Sequence, residues 1–177
     1  INMMRPSFLL PVLLLLPTTA QAGCGDNVKP GSCFSQLNIY NVTTGKNYTI
    51  HQQAGWIQAP LWTPAQRLVY VLDSKLYSLP TAGGSPVNIP TGTAGAVNND
   101  HVLSPDGKQL AISAYKGRPH SAGSDIFIIP IAGASGEVVQ VTNRTADGPS
   151  YAHAWSPDGS TIAYCAERSG LFDVYAL

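Results

Sequence analysis

Charge is what this sequence has least of. Only 11% of its 177 residues are Asp, Glu, Lys or Arg, and 10 basic residues balance 10 acidic ones. A helical domain would carry more Glu, Lys and Arg on its solvent faces, so the composition argues against one. Without a basic patch or a run of like charge, there is no electrostatic footprint for nucleic acid. Long apolar runs are equally scarce: beyond the first 22 residues no stretch is long and apolar enough to span a bilayer as a helix. Familiar chemical motifs are missing too. The sequence has no Gly-x-Ser-x-Gly elbow, no His-Glu-x-x-His, no Walker loop and no Cys-x-x-Cys.

Cysteine is sparse, and its placement is informative. Residues 1–22 read as a secretory signal peptide. Arg5 supplies the positive start, "FLLPVLLLL" the apolar stretch and "AQA" the cleavage site. Cys24 and Cys33 follow within a Gly-containing segment, 23–35, and an oxidising compartment would let them pair. The rival reading makes "QAGC" a lipoprotein site with a lipid anchor on Cys24, although Gln21 stands where such sites carry an aliphatic residue. Cys165, inside the apolar run "TIAYCA", is expected to be an inert core thiol.

What the chain does have is turns, with 17 Gly and 14 Pro, and one phrase spelled twice. "HVLSPDGKQLAIS" starts at His101 and "HAWSPDGSTIAYC" at His153. Their turn prolines, Pro105 and Pro157, lie about 50 residues apart, and a degenerate copy, "LWTPAQRLVYVL", places Pro64 about 40 residues earlier. Proline presets the second turn position, Asp suits the next, and Gly accepts the left-handed backbone that leads into a strand. Ser104, Pro105, Asp106 and Gly107, like Ser156, Pro157, Asp158 and Gly159, are therefore read as structural hairpin turns. A unit holds four short strands: "HVLS", "QLAISAY", "DIFIIPI" and "EVVQVT". The N-terminal "LNIYNVTTGKNYTI" matches only the last part of such a unit. Repeats of this length with four antiparallel strands predict an all-β β-propeller.

Those phrases resemble the WD40-like repeats of TolB-type propellers, strongly over the last two units and more weakly around Pro64. The resemblance spans residues 36–177 and implies a small exported form without the N-terminal α/β domain of TolB itself. About 155 residues beyond the leader, at about 43 per blade, give three to four blades. The expectation is a truncated propeller.

His101 and His153 each stand four residues before a turn proline, so the repeat predicts equivalent places at the start of the innermost strand, near one channel mouth. Two imidazoles converging there can share a divalent metal or bind an anion. Oligogalacturonate lyases, which carry related repeats, bind a metal with channel histidines, so a metal-dependent carbohydrate-active enzyme is the alternative function. The plainer reading makes both residues repeat-specific packing groups, and Pro60 occupies the matching position in the earlier unit. Asp100, Tyr151 and Trp155 flank the two histidines and complete a candidate binding surface. Asp125 and Asp173 open the third strands and are expected to hydrogen-bond nearby backbone amides. The preferred function is a scaffold without catalysis or cofactor, periplasmic or secreted, that binds a protein or glycan partner of the cell envelope.

Overall fold

The computed structural model describes residues 33–143 and 148–177. Their strands fall into four antiparallel sheets in chain order. Strands β1 (Phe34–Tyr40) and β2 (Asn47–Ala54) form a two-stranded ribbon. A four-stranded blade follows, ordered β3 (Ile57–Thr63), β4 (Arg67–Leu72), β5 (Lys75–Pro80) and β6 (Val87–Ile89). The next has β7 (Val97–Leu103), β8 (Gln109–Ala114), β9 (Asp125–Pro130) and β10 (Val139–Gln140). The last sheet has three strands, β11 (Ser150–Trp155), β12 (Ile162–Arg168) and β13 (Leu171–Ala176). This is the all-β, four-stranded-blade architecture of a propeller. Helix is confined, among the described residues, to single turns at Gly92–Ala94 and His120–Ala122.

The apolar runs are continuous where a strand is covered on both faces. In β4, Leu68 and Tyr70 turn toward the β1–β2 ribbon with Leu37 and Leu79, while Val69 and Val71 turn toward the second blade. In β8, Leu110 and Ile112 meet Val69, Val71, Leu76 and Ile89, whereas Ala111 faces Ala152, Ile162 and Tyr164. One period-two pattern thus feeds two cores, and a strand buried on both sides loses its polar alternation. Strand β12 alternates buried Ile162, Tyr164 and Ala166 with half-exposed Ala163 and Cys165. Cys165 is a free, half-buried thiol on the face of β12 turned away from that shared core.

The turns are built as the sequence suggests. The Ser104 hydroxyl donates to Asp106 Oδ1 at 2.7 Å and accepts from the Gln109 amide at 2.9 Å. Ser156 repeats both bonds with Asp158 and Thr161. Gly107 and Gly159 both sit at φ 73°, the left-handed region where a Cβ is penalised. In the degenerate turn Gln66 takes that conformation, at φ 55°. The aspartates are turn fasteners: the serine hydroxyl first, and then the backbone amide two residues on, hold both carboxyls below the usual range, Asp158 at about 2.

Polar links tie one blade to the next. The Ala152 amide donates to Ser113 Oγ at 2.9 Å, and the Ser124 hydroxyl donates to the Ser150 carbonyl at 2.9 Å. Asp125 departs from expectation. Its carboxylate is fully buried and accepts from Arg118 Nη2 at 2.6 Å and Gln140 Nε2 at 3.3 Å, side chains rather than backbone. Asp173, at the matching position, does accept a backbone amide, that of Val174 at 2.8 Å. Cys33 is disulfide-bonded. Cys24 and the signal peptide at 1–22 lie outside the described residues, and β1 starts at Phe34, just ahead of the expected boundary at 36.

Candidate functional site

Strands β3, β7 and β11 run side by side as the inner strands of their sheets. Each carries a bulge. In β7, Val97 lies opposite Ala114 and His101 opposite Ile112, so Asn98, Asn99 and Asp100 together face Ser113. In β11, Ala152 pairs with Tyr164 and Ala154 with Ala163, which squeezes His153 out of the ladder. In β3 the extra residues are Ala59, at φ 47°, and Pro60. An inserted residue reverses which face its neighbours address, so bulges placed differently send equivalent residues to different surroundings.

The two repeat histidines show this directly. His101 stays in register and is only 7% exposed, with Nδ1 against the Asn99 carbonyl at 3.1 Å. That carbonyl can only accept, so Nδ1 carries the proton. Nε2 faces the Val69 carbonyl of the neighbouring blade without forming a proper hydrogen bond. Burial pushes the His101 pKa below its ordinary value and outweighs the two carbonyls, which favour the charged ring. His153 is exposed. Trp155 points between blades, its Nε1 donating to the Val102 carbonyl at 3.3 Å. His101 is therefore buried as a packing group, while Trp155 is half-buried and bonded across the blade boundary.

The remaining predicted residues do converge. Asp100 is half-buried, its backbone amide donating to Asn98 Oδ1 at 2.8 Å and its carboxylate accepting from Asn98 Nδ2 at 3.1 Å. Burial raises its pKa, against the opposing pull of His153 and of Asn98. Tyr115, at the end of β8, titrates high because of burial first and then its electrostatic neighbours Tyr151 and Asp100. Asp100 is thus an electrostatic neighbour of His153 and of Tyr115, and Tyr115 of Tyr151; Tyr115 and Tyr151 stand away from the Ser-Pro-Asp-Gly turns, and His153 at the bulge midway along β11. Aromatic contacts extend the surface: Tyr115 stacks on His120 at 4.2 Å and 17°, and Tyr151 on Phe172 at 6.3 Å and 29°. Tyr115 escapes a reading of the sequence because it closes the apolar run "QLAISAY" and looks like the tail of a strand. His120 lies in a loop with no repeat counterpart.

Chemically, the cluster offers flat aromatic faces, a carboxyl that takes a proton more readily than usual and an imidazole beside it. Such a surface suits stacking and hydrogen bonding to a sugar or a peptide. Among the described residues, no group of three or more His, Cys, Asp or Glu side chains is placed to hold a metal ion.

No protein-family model matches the chain. An uncharacterised protein of Agrobacterium fabrum is 36% identical over 149 residues, which cover 83% of this chain and 48% of that protein. Among solved structures, the "putative TolB" of Agrobacterium tumefaciens is 35% identical, with a TM-score of 0.70 over 80% of this chain and 49% of that one. The tricorn protease shares the fold, with a TM-score of 0.54 at 19% identity over 74% of this chain and 13% of that one. The chain spans about half the length of the relatives it matches at 35–36% identity. Its fold is that of a TolB-like β-propeller.

Proposed function

We propose that this chain is part of an exported, TolB-like propeller of the cell envelope, a scaffold that binds a protein or glycan partner and performs no catalysis. The observation that carries this reading is the electrostatic grouping of Asp100, Tyr115, Tyr151 and His153, extended by exposed His120 stacked on Tyr115 and exposed Phe172 stacked on Tyr151. The signal-peptide pattern at 1–22 supports export, and the likeness to a TolB supports a binding role over a metabolic one.

A second reading, the metal-dependent carbohydrate-active enzyme, draws on one feature, Asp100 with its pKa raised by burial and His153 as its electrostatic neighbour. The two are separated by paired measurements on the full chain. Partners and envelope glycans held by the wild type are compared with those held by the variant Tyr115→Ala/Tyr151→Ala, alongside metal analysis of the purified protein. Loss of a specific partner or glycan in the double variant, with no metal, supports the scaffold. A stoichiometric divalent metal that disappears in His101→Ala/His153→Ala, together with cleavage of a glycan, sinks it.

A further inference from the structure

We infer a second binding site, for the C-terminal carboxylate of a peptide ending in an apolar residue, in the cleft between the first two four-stranded blades. The cleft has a volume of about 420 Å³ and lies at the Ser-Pro-Asp-Gly end, away from the aromatic cluster. Pro64, Arg67, Val69 and Ile89 line it from one blade, Gly107 and Ile131 from the next. Its walls are mostly apolar, with one cation, Arg67, and one carboxylate, Asp106, among them.

That cation is held in place. Arg67 Nε donates to Ser78 Oγ at 2.6 Å and Nη2 to the Ser78 carbonyl at 3.2 Å. One edge of the guanidinium is thereby pinned, and the end formed by its two Nη groups keeps N–H donors to offer. Among the described residues, Arg67 has no carboxylate partner, since the ion pairs there are Lys108 with Asp106 and Arg118 with Asp125. Asp106 lies at the cleft too; its Oδ1 accepts from the Ser104 hydroxyl and the Lys108 amide, and its Oδ2 faces the Lys108 ammonium at 3.8 Å.

The sequence makes the same point independently. At the place of Arg67 the other two repeats carry Gln109 and Thr161, each just after the turn. The aspartate that both other turns carry is here Ala65. The degenerate unit has thus gained a guanidinium and lost the one carboxylate that the repeat would set beside it. A half-buried, immobilised and unpaired arginine fits a bidentate carboxylate.

A chain terminus fits better than an acidic side chain. It presents its carboxylate and an apolar side chain from the same carbon, matching a cation set beside apolar walls. An internal Asp or Glu would bring flanking peptide groups into that apolar space, where unpaired amides are costly. The volume suits about one or two residues.

The test uses the full chain and three N-acetylated tetrapeptides, followed by titration calorimetry. One ends in leucine with a free carboxylate, one is its C-terminal amide, and one is an amide with an internal glutamate. The free-acid peptide is expected to bind at least about tenfold more tightly than either amide, the size of a lost charged hydrogen bond. Arg67→Gln should remove that preference and Arg67→Lys should keep part of it. Val87→Trp, which fills the cleft from an exposed rim position, should block binding while the circular dichroism spectrum stays native. Equal binding of acid and amide, an undiminished preference in Arg67→Gln, or stronger binding of the glutamate peptide would each overturn the assignment. The aromatic cluster is not needed for any of these outcomes, so Tyr115→Ala/Tyr151→Ala should leave them unchanged.

Discussion

Arg118 reaches across its loop to set Nη2 2.6 Å from Asp125 Oδ2, and that carboxylate is completely shielded from water. Gln140 Nε2 donates to the same oxygen at 3.3 Å, and Thr142 Oγ1 lies 3.4 Å from the other. The pair thereby joins the β8–β9 loop to β10 and to Thr142 just beyond it. Arg118 keeps a third of its side chain exposed, so its own desolvation is partial.

Replacing Asp125 with Ala should therefore destabilise strongly, by about 3 kcal/mol, the lower end of what breaking a buried pair costs. The arginine left behind can turn to solvent, which keeps the loss from being larger. Urea denaturation of Asp125→Ala and Arg118→Ala checks this. Asp173→Ala, at the matching but exposed position, should change the midpoint little.

His101 makes stability sensitive to acid in a defined window. Its folded pKa lies below the ordinary histidine value of about 6.5, so near pH 7 the ring is neutral in both states and costs nothing. As pH falls through 6.5 the unfolded chain takes up a proton that the folded chain refuses, and stability declines. The stability gap between pH 7.5 and pH 5.5, measured by denaturant titration, should shrink in His101→Gln. An unchanged gap would mean that the imidazole titrates freely.

Asp158 acts lower on the scale. Its folded pKa is held near 2 by Ser156 first and Ser160 next, against an ordinary value of 3.8. A depressed carboxyl contributes stability that is complete above pH 4 and is lost as pH drops toward 2. The contribution is modest because the turn is exposed, but Asp158→Asn should flatten that part of a pH–melting curve. Ser156→Ala should do the same by removing the main hydrogen bond.

Two wholly buried aromatics should respond in opposite ways. Phe127 fills the core shared by the two four-stranded blades, and Phe127→Ala should cost about 3–5 kcal/mol. The Tyr70 hydroxyl is buried without a good hydrogen bond, and burial raises its pKa to about 12. Tyr70→Phe removes an uncompensated polar group and should leave stability within about 1 kcal/mol of wild type, or above it. Equilibrium unfolding of both variants tests the contrast.

The blades were legible because turn chemistry and period-two patterning act over a few residues. Ser-Pro-Asp-Gly names its own hairpin, and "RLVYVL" reads as an apolar strand, though its burial on both faces shows only in the packing. The site was only half legible. His153 is reachable from the repeat, and Asp100 and Tyr151 as residues flanking the repeat histidines, but Tyr115 is hidden in a strand tail. The equivalence of His101 and His153 failed because the register of an inner strand depends on where its bulge falls, and pairing with the next strand decides that. Asp125 was misjudged for a similar reason, since its partner Arg118 arrives from a loop with no counterpart in the other repeats.

The serine-to-backbone links between sheets bear on how such a protein can be rebuilt. Ala152 has its amide answered by Ser113 of the preceding blade, and Ser150 has its carbonyl answered by Ser124. A blade lifted out and grafted into another propeller would arrive with those groups buried and unanswered, each a desolvation penalty of about 1–3 kcal/mol. These blades are repeats in sequence but not interchangeable parts. Recombination would have to cut within a blade, carrying each serine together with the strand it serves.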